Sequence, residues 1–180
     1  FFPGDSIILN DPFRGGSHLP DVTLVTPIFR EGELIGWGAN RAHHLDVGGT
    51  VAGSFYSQAR ENYQEGLRIP PVKLIKGGTV DEEIMEMILA NVSLAKSMRS
   101  DLLSQVSANL TATRRVVELV DRYGLESVNN SMEIEMDASE RRVRAAIAKW
   151  PDGRYTAEDS MDNDGITDVP RTVRVTVEVH

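Results

Sequence analysis

Residues 6–46 read SIILNDPFRGGSHLPDVTLVTPIFREGELIGWGANRAHHLD, and they show that the chain begins with strands and loops. Short runs of β-branched and aromatic residues alternate here with turn-forming residues, which is typical of strands joined by loops. The pattern predicts three strands, at 6–9, 22–29 and 34–44, with a hairpin turn at Glu31–Glu33 between the last two.

Residues 79–150 place their apolar residues three and four positions apart, which is the period of helices. Thr79 and Glu82 have the spacing of a capping box and predict the start of a first helix. A longer second helix is expected to end before Gly124, and a third to run unbroken over 128–150. We expect the apolar stripes of these helices, methionines included, to belong to the core.

Residues 151–180 return to a two-residue period, with alternating valines over 173–179 and a neighbouring strand at 155–161. The chain is therefore predicted to be α+β. Its parts are a strand-and-loop region (1–78) that carries the candidate site, a three-helix segment (79–150) and the start of an antiparallel β region (151–180). Because the chain opens without Met and stops inside a strand pattern, we expect an internal fragment of a larger chain.

Composition narrows the possible partners and metal ligands. The 19 Lys and Arg residues against 27 Asp and Glu residues give a net charge of −8, which argues against nucleic acid or an anionic membrane as a partner. The chain has no cysteine, so a metal would have to bind histidine and carboxylate. Neither a membrane-spanning stretch nor a signal peptide is evident, so we expect a soluble, cytoplasmic protein.

The candidate metal ligands lie in the first region of the chain. His18 is close to Asp21 in sequence, and His43 and His44 are close to Asp46. Imidazole and carboxylate together suit zinc, iron or manganese, and a site with two histidines and one carboxylate leaves positions open for water or substrate. This pattern predicts a catalytic metal site.

Strand geometry limits how the adjacent histidines can be used, because successive side chains point to opposite faces. His43 falls on one face with Arg41, whereas His44 falls on the other with Asn40 and Asp46. Both sets remain open. The alternative is that these histidines form hydrogen bonds within a glycine-rich core and bind no metal.

Three sequence motifs follow one another along this region. They are GD at 4–5 with LNDPFRGGSHLPD at 9–21, AHHLDVGG at 42–49, and YQEGLRIPPVKL at 63–74. In these motifs the chain resembles the hydantoinase B and 5-oxoprolinase family, which also includes the alpha subunits of acetone-type carboxylases.

The resemblance implies an ATP-dependent hydrolase of a small cyclic amide, such as a hydantoin or 5-oxoproline. Its B-type chain would form a hetero-oligomer with an A-type subunit, which binds ATP and phosphorylates the substrate carbonyl. The resemblance also implies a divalent metal on His18, Asp21 and His43, with His44 and Asp46 behind them or as alternate ligands.

Residue type suggests further roles around such a metal. Asp46 or Glu65 would accept a proton, and Arg14 would hold the leaving phosphate or a substrate carboxylate. Two other functions stay open at this point. One is the alpha subunit of an ATP-dependent ketone carboxylase, and the other is a subunit-interaction fragment whose metal is structural or lost.

Overall fold

A computed structural model describes all 180 residues of the chain. They form two compact units, Phe1–Tyr123 and Gly124–His180. Both units combine helices with antiparallel strands, so the predicted α+β class is confirmed. None of the helices combines the length and the hydropathy that a membrane-spanning segment needs.

The first unit contains a five-stranded antiparallel sheet with the strand order β3-β2-β1-β4-β5. Its strands are β1 (Ser6–Leu9), β2 (Asp21–Arg30), β3 (Glu33–His43), β4 (Val72–Lys76) and β5 (Thr79–Val80). The three predicted strands and the hairpin between β2 and β3 are confirmed. Strands β4 and β5 were not among the predicted strands: β4 directly follows the prolines at 70 and 71, and β5 has only two residues, too few to show a period.

Three helices belong to this unit: the single turn α1 (Asn62–Glu65), α2 (Glu82–Leu89) and the long α3 (Ala95–Tyr123). The inward side chains of β2 alternate along the strand, and those of α3 recur every four residues, so the two apolar faces match. Their buried members are Val22, Leu24, Met98, Leu102 and Val106. The core therefore lies between the sheet and α3.

Helix α2 begins two residues later than a capping box at Thr79 predicts. Thr79 pairs with Lys76 in the β4–β5 hairpin and is extended. The cap is Asp81, whose Oδ1 accepts a hydrogen bond from the backbone N of Ile84 at 3.2 Å. The predicted cap is wrong because the hairpin takes Thr79 into the sheet.

The second unit consists of α4 (Leu125–Ile147) and a two-stranded sheet of β6 (Gly153–Met161) and β7 (Arg171–Val179). The unbroken third helix and the final strand pair are confirmed. However, α4 buries none of its residues, and Met132 and Met136 are 52% and 64% exposed. The expectation that this stripe belongs to the core is wrong, since the stripe of α4 is exposed to solvent.

Candidate functional site

The β2–β3 hairpin brings two of the predicted metal ligands together. Asp21 is the first residue of β2 and lies directly opposite His43, the last residue of β3. Asp21 Oδ1 and His43 Nδ1 are 2.8 Å apart. Their side chains are 28% and 62% exposed, so the pair is accessible from solvent. The register of the hairpin thus settles which histidine faces Asp21.

His18 reaches this pair from the loop between β1 and β2. Gly16 lets the loop turn tightly, since a Cβ at this position would lie 2.2 Å from the carbonyl oxygen of Asn10. Beyond the turn, the rings of His18 and His43 lie 5.5 Å apart between centroids, tilted by 30°. The structure therefore brings His18, Asp21 and His43 to one corner of the sheet.

The donor types at this corner suit a divalent metal. Two imidazoles and one carboxylate are a common donor set for zinc, iron and manganese. In this structure Asp21 and His43 bond to each other, and no three His, Asp or Glu side chains converge as a ligand group. A metal held by both Asp21 and His43 Nδ1 would take the place of the hydrogen bond between them.

His44 lies on the opposite face and is buried, with 3% of its surface exposed. Its Nε2 is 2.8 Å from Gln105 Oε1 on α3. The amide group of Gln105 donates to the carbonyl of Val22 and to Asn40 Oδ1, so its oxygen accepts and His44 Nε2 must donate. His44 Nδ1 is then left as a buried acceptor with no partner.

The contacts of His44 continue as a buried polar network between the sheet and α3. Asn40 donates to Asn109, and Asn109 donates to Thr26, which is hydrogen-bonded to Ser6. These partners lie on β1, β2, β3 and α3, so the network fixes the helix against the sheet. His44 thus has structural contacts, and its role as an alternate ligand stays a prediction.

Asp46 is also buried, and its carboxylate binds backbone groups. It accepts hydrogen bonds from the N–H of Gly48 at 2.9 Å and of Ser93 at 2.7 Å. Burial raises the pKa of Asp46, but these backbone hydrogen bonds outweigh it and hold the pKa below its usual value. A carboxylate held in its charged form in this way ties the loop after β3 to the segment before α3.

The other two predicted catalytic residues, Arg14 and Glu65, lie in the β1–β2 loop and at the end of α1. Arg14 is largely exposed and contacts Asp11 at 3.8 Å, and Glu65 is the half-buried last residue of α1. No hydrogen bond or ion pair joins either residue to His18, Asp21 or His43. Their catalytic roles also stay predictions.

Asn10 was not singled out by the sequence analysis, yet it holds these loops together. Its side-chain amide donates to the carbonyls of Leu19 and Leu67, and its oxygen accepts from the N–H of Ile69 at 2.6 Å. Asn10 is fully buried. Partners almost sixty residues away leave no local signal in the sequence.

A groove of about 480 Å³ opens between the end of β3 and α3. This volume is in the range of small-molecule sites. It is lined by both polar and apolar groups, among them Arg41, His43, His44, Asp101, Ser104 and Ala108. The groove thus adjoins the corner that His43 shares with His18 and Asp21.

Comparison with known proteins agrees with this architecture. Caprolactamase subunit beta of Pseudomonas jessenii is 36% identical over 162 residues, which cover 90% of this chain and 28% of that protein. The 5-oxoprolinase of Saccharomyces cerevisiae is 33% identical over 188 residues, covering 96% and 14%. The crystal structure of the ATP-dependent caprolactamase from Pseudomonas jessenii superposes with a TM-score of 0.87 at 33% identity, covering 99% of this chain and 31% of that chain.

The chain spans about a quarter to a third of the length of the first curated relatives it matches, with shares of 25%, 31% and 28%. The family model of hydantoinase B/oxoprolinase matches residues 1–180. This chain belongs to the hydantoinase B/oxoprolinase family.

Proposed function

We propose that this chain forms part of the B-type subunit of an ATP-dependent cyclic-amide hydrolase. The observation that carries the proposal is the meeting of His18, Asp21 and His43 at one corner of the sheet, beside a groove large enough for a small ring. Membership of the family and the similarity to an ATP-dependent caprolactamase support the reaction class.

In this proposal His18, Asp21 and His43 hold a divalent zinc, manganese or iron ion. Such an ion polarises a substrate oxygen and lowers the pKa of bound water. The chain's own part is to present these side chains in a fixed arrangement. Asp21 faces His43 across the hairpin, and the tight turn at Gly16 carries His18 to the same corner.

The groove beside His43 is the proposed place of the substrate ring. A lactam or hydantoin ring offers both an N–H and a carbonyl, and the groove presents complementary groups at Asp101 and Ser104. Hydrolysis would open the ring at its C–N bond. Activation of the carbonyl by ATP is assigned to an A-type partner subunit, as the family resemblance implies, and the similar caprolactamase is likewise ATP-dependent.

Elemental analysis of the purified protein tests the metal site first. We expect close to one zinc, manganese or iron per chain, and its loss in His18→Ala, Asp21→Ala and His43→Ala. His180→Ala is the matched control, because His180 is exposed and lies in the second unit. Folded wild-type protein without metal would contradict the proposal and favour a subunit-interaction role.

The metal-loaded protein is then combined with its A-type partner and ATP. We expect the ring of a lactam, hydantoin or 5-oxoproline to be opened. The reaction should not occur when ATP is left out, nor with the His43→Ala variant. Bicarbonate-dependent consumption of a ketone, with no ring opening, would assign the chain to the carboxylases instead.

A further inference from the structure

Arg41 lies on β3 two residues before His43 and on the same face of the strand. Its cross-strand partner is Thr23 on β2, just as Asp21 is the partner of His43. The pair Thr23 and Arg41 is therefore the next outward-facing pair along the hairpin from the proposed metal ligands. Nothing in the sequence pattern alone says what this arginine contacts.

The guanidinium of Arg41 makes three hydrogen bonds with three separate partners. Its Nε donates to Thr23 Oγ1 at 2.9 Å, its Nη1 to Ser17 Oγ at 3.2 Å, and its Nη2 to the carbonyl of Gly15 at 3.4 Å. One partner is on the sheet and two are in the loop that carries His18. Only arginine has donors spread across a planar fork in this way.

The loop has few other attachments between its two anchored ends. At its start the backbone of residues 14 and 16 bonds to the carbonyl of Asp11, and at its end Leu19 is buried. Residues 13–15, 17 and 18 between these points are exposed. Arg41 is the side chain that fastens the middle of this exposed segment to the sheet.

We propose that Arg41 is a positioning residue that fixes the loop so that His18 faces His43 and Asp21. This inference rests on the proposed metal-binding function, because the purpose of the arrangement is to preorganise the metal ligands. Arg41 also lines the groove, and in this proposal it acts on the metal ligands through the loop.

Electrostatics and positioning predict opposite effects of removing this side chain. Arg41 is a cation close to the proposed cation site, so its charge alone would weaken metal binding, and Arg41→Ala would tighten it. If Arg41 positions His18, the same variant loses affinity. Arg41→Lys keeps the positive charge but has all its donors on one nitrogen atom, so it cannot reach the three partners of Arg41 at once. This variant therefore separates the effect of positioning the loop from the effect of the charge.

Calorimetric titration of the metal-stripped protein with ZnCl₂ measures this effect. We expect Arg41→Ala to weaken zinc binding about 10-fold or more, as found for residues that orient metal ligands, and Arg41→Lys to lie between Arg41→Ala and wild type. The control is Arg115→Ala, because Arg115 is an exposed arginine on α3 that bonds to Glu118. Its zinc affinity should remain that of the wild type.

Hydrogen exchange of the metal-free protein gives a readout that does not depend on zinc. In Arg41→Ala we expect faster exchange of the amides of residues 14–18, with unchanged protection in β2 as a check on folding. Wild-type protein that binds no zinc would overturn the proposed function and this inference with it. If the wild type binds zinc, an unchanged or tighter affinity in Arg41→Ala, or an unchanged exchange rate in the loop, would overturn the positioning role alone.

Discussion

Replacing Asn10 by alanine should destabilise the first unit strongly and loosen the loop that carries His18. The Asn10 side chain is fully buried and joins three backbone groups, namely the carbonyls of Leu19 and Leu67 and the N–H of Ile69. Asn10→Ala removes all three hydrogen bonds at once. It leaves no side chain of similar shape to fill the space.

The size of the effect follows from these three groups. A buried backbone group left without a partner costs about 1–3 kcal/mol, so three groups at the lower end give about 3 kcal/mol of lost unfolding free energy. The lower end applies because water can enter the space that the side chain vacates. A loss of this size corresponds to a fall in melting temperature of about 10 °C.

Urea unfolding of the Asn10→Ala variant measures this loss. The chain has two tryptophans, so Trp150→Phe leaves Trp37 as a fluorescent probe of the first unit alone. The control is Asn91→Ala, because Asn91 is exposed and makes a single hydrogen bond within its own turn. That variant should remain within about 0.5 kcal/mol of the parent. A loss below about 1 kcal/mol in Asn10→Ala would refute the reasoning, because the three bonds would then not hold the loops together.

Three further predictions concern acid stability, a glycine and the metal. The ammonium of Lys73 lies 2.7 Å from Asp5 Oδ2, and its hydrogen bond lowers the pKa of Asp5 from 3.8 to about 2. The charged form of Asp5 therefore stabilises the fold fully above pH 4. This contribution is lost as the pH falls from 4 to 2, and an acid titration followed by circular dichroism should show less of this loss in Asp5→Asn. Gly48→Ala should destabilise by about 2 kcal/mol or more, because φ is +83° and the new Cβ would lie 2.2 Å from the carbonyl oxygen of Asn91. Gly36→Ala, which meets nothing within 4 Å, should have little effect in the same thermal melts, and equal losses in the two variants would contradict the argument. A chelator should lower the melting temperature of metal-loaded wild type by mass action and leave that of His43→Ala unchanged, whereas equal shifts in both would remove this site as the cause.

Local sequence patterns were sufficient to predict those strands, turns and helices that depend on residues close together in the chain. The alternation along β2 and the turn at Glu31–Glu33 specify a hairpin, and the two strands form as predicted. The long apolar periods likewise predicted α3 and the unbroken α4. For α4, however, period alone did not predict burial, since a helix with an apolar stripe buries it only where another surface packs against it, and α4 buries none of its residues.

In the candidate site, too, some residue contacts could be predicted from sequence neighbours and others could not. His18 and Asp21 are three residues apart, so the sequence could pair them, and it could state that His43 and His44 point to opposite faces. It could not choose between these histidines. That choice depends on the register of the hairpin, which sets His43 opposite Asp21 and turns His44 toward Gln105, 61 residues away.

The family, the α+β class, most of the strands and helices, and the small group of side chains from which a metal site would be built could be predicted from the order of residues. Which of these side chains meet at the surface, and which are held inside by hydrogen bonds, became clear from the folded chain. Asp46 is the clearest example, since its partners include Ser93, 47 residues further along the chain. The physical reason is that secondary structure and side-chain parity arise from neighbours in sequence, whereas register and buried hydrogen bonds join groups that only folding brings together.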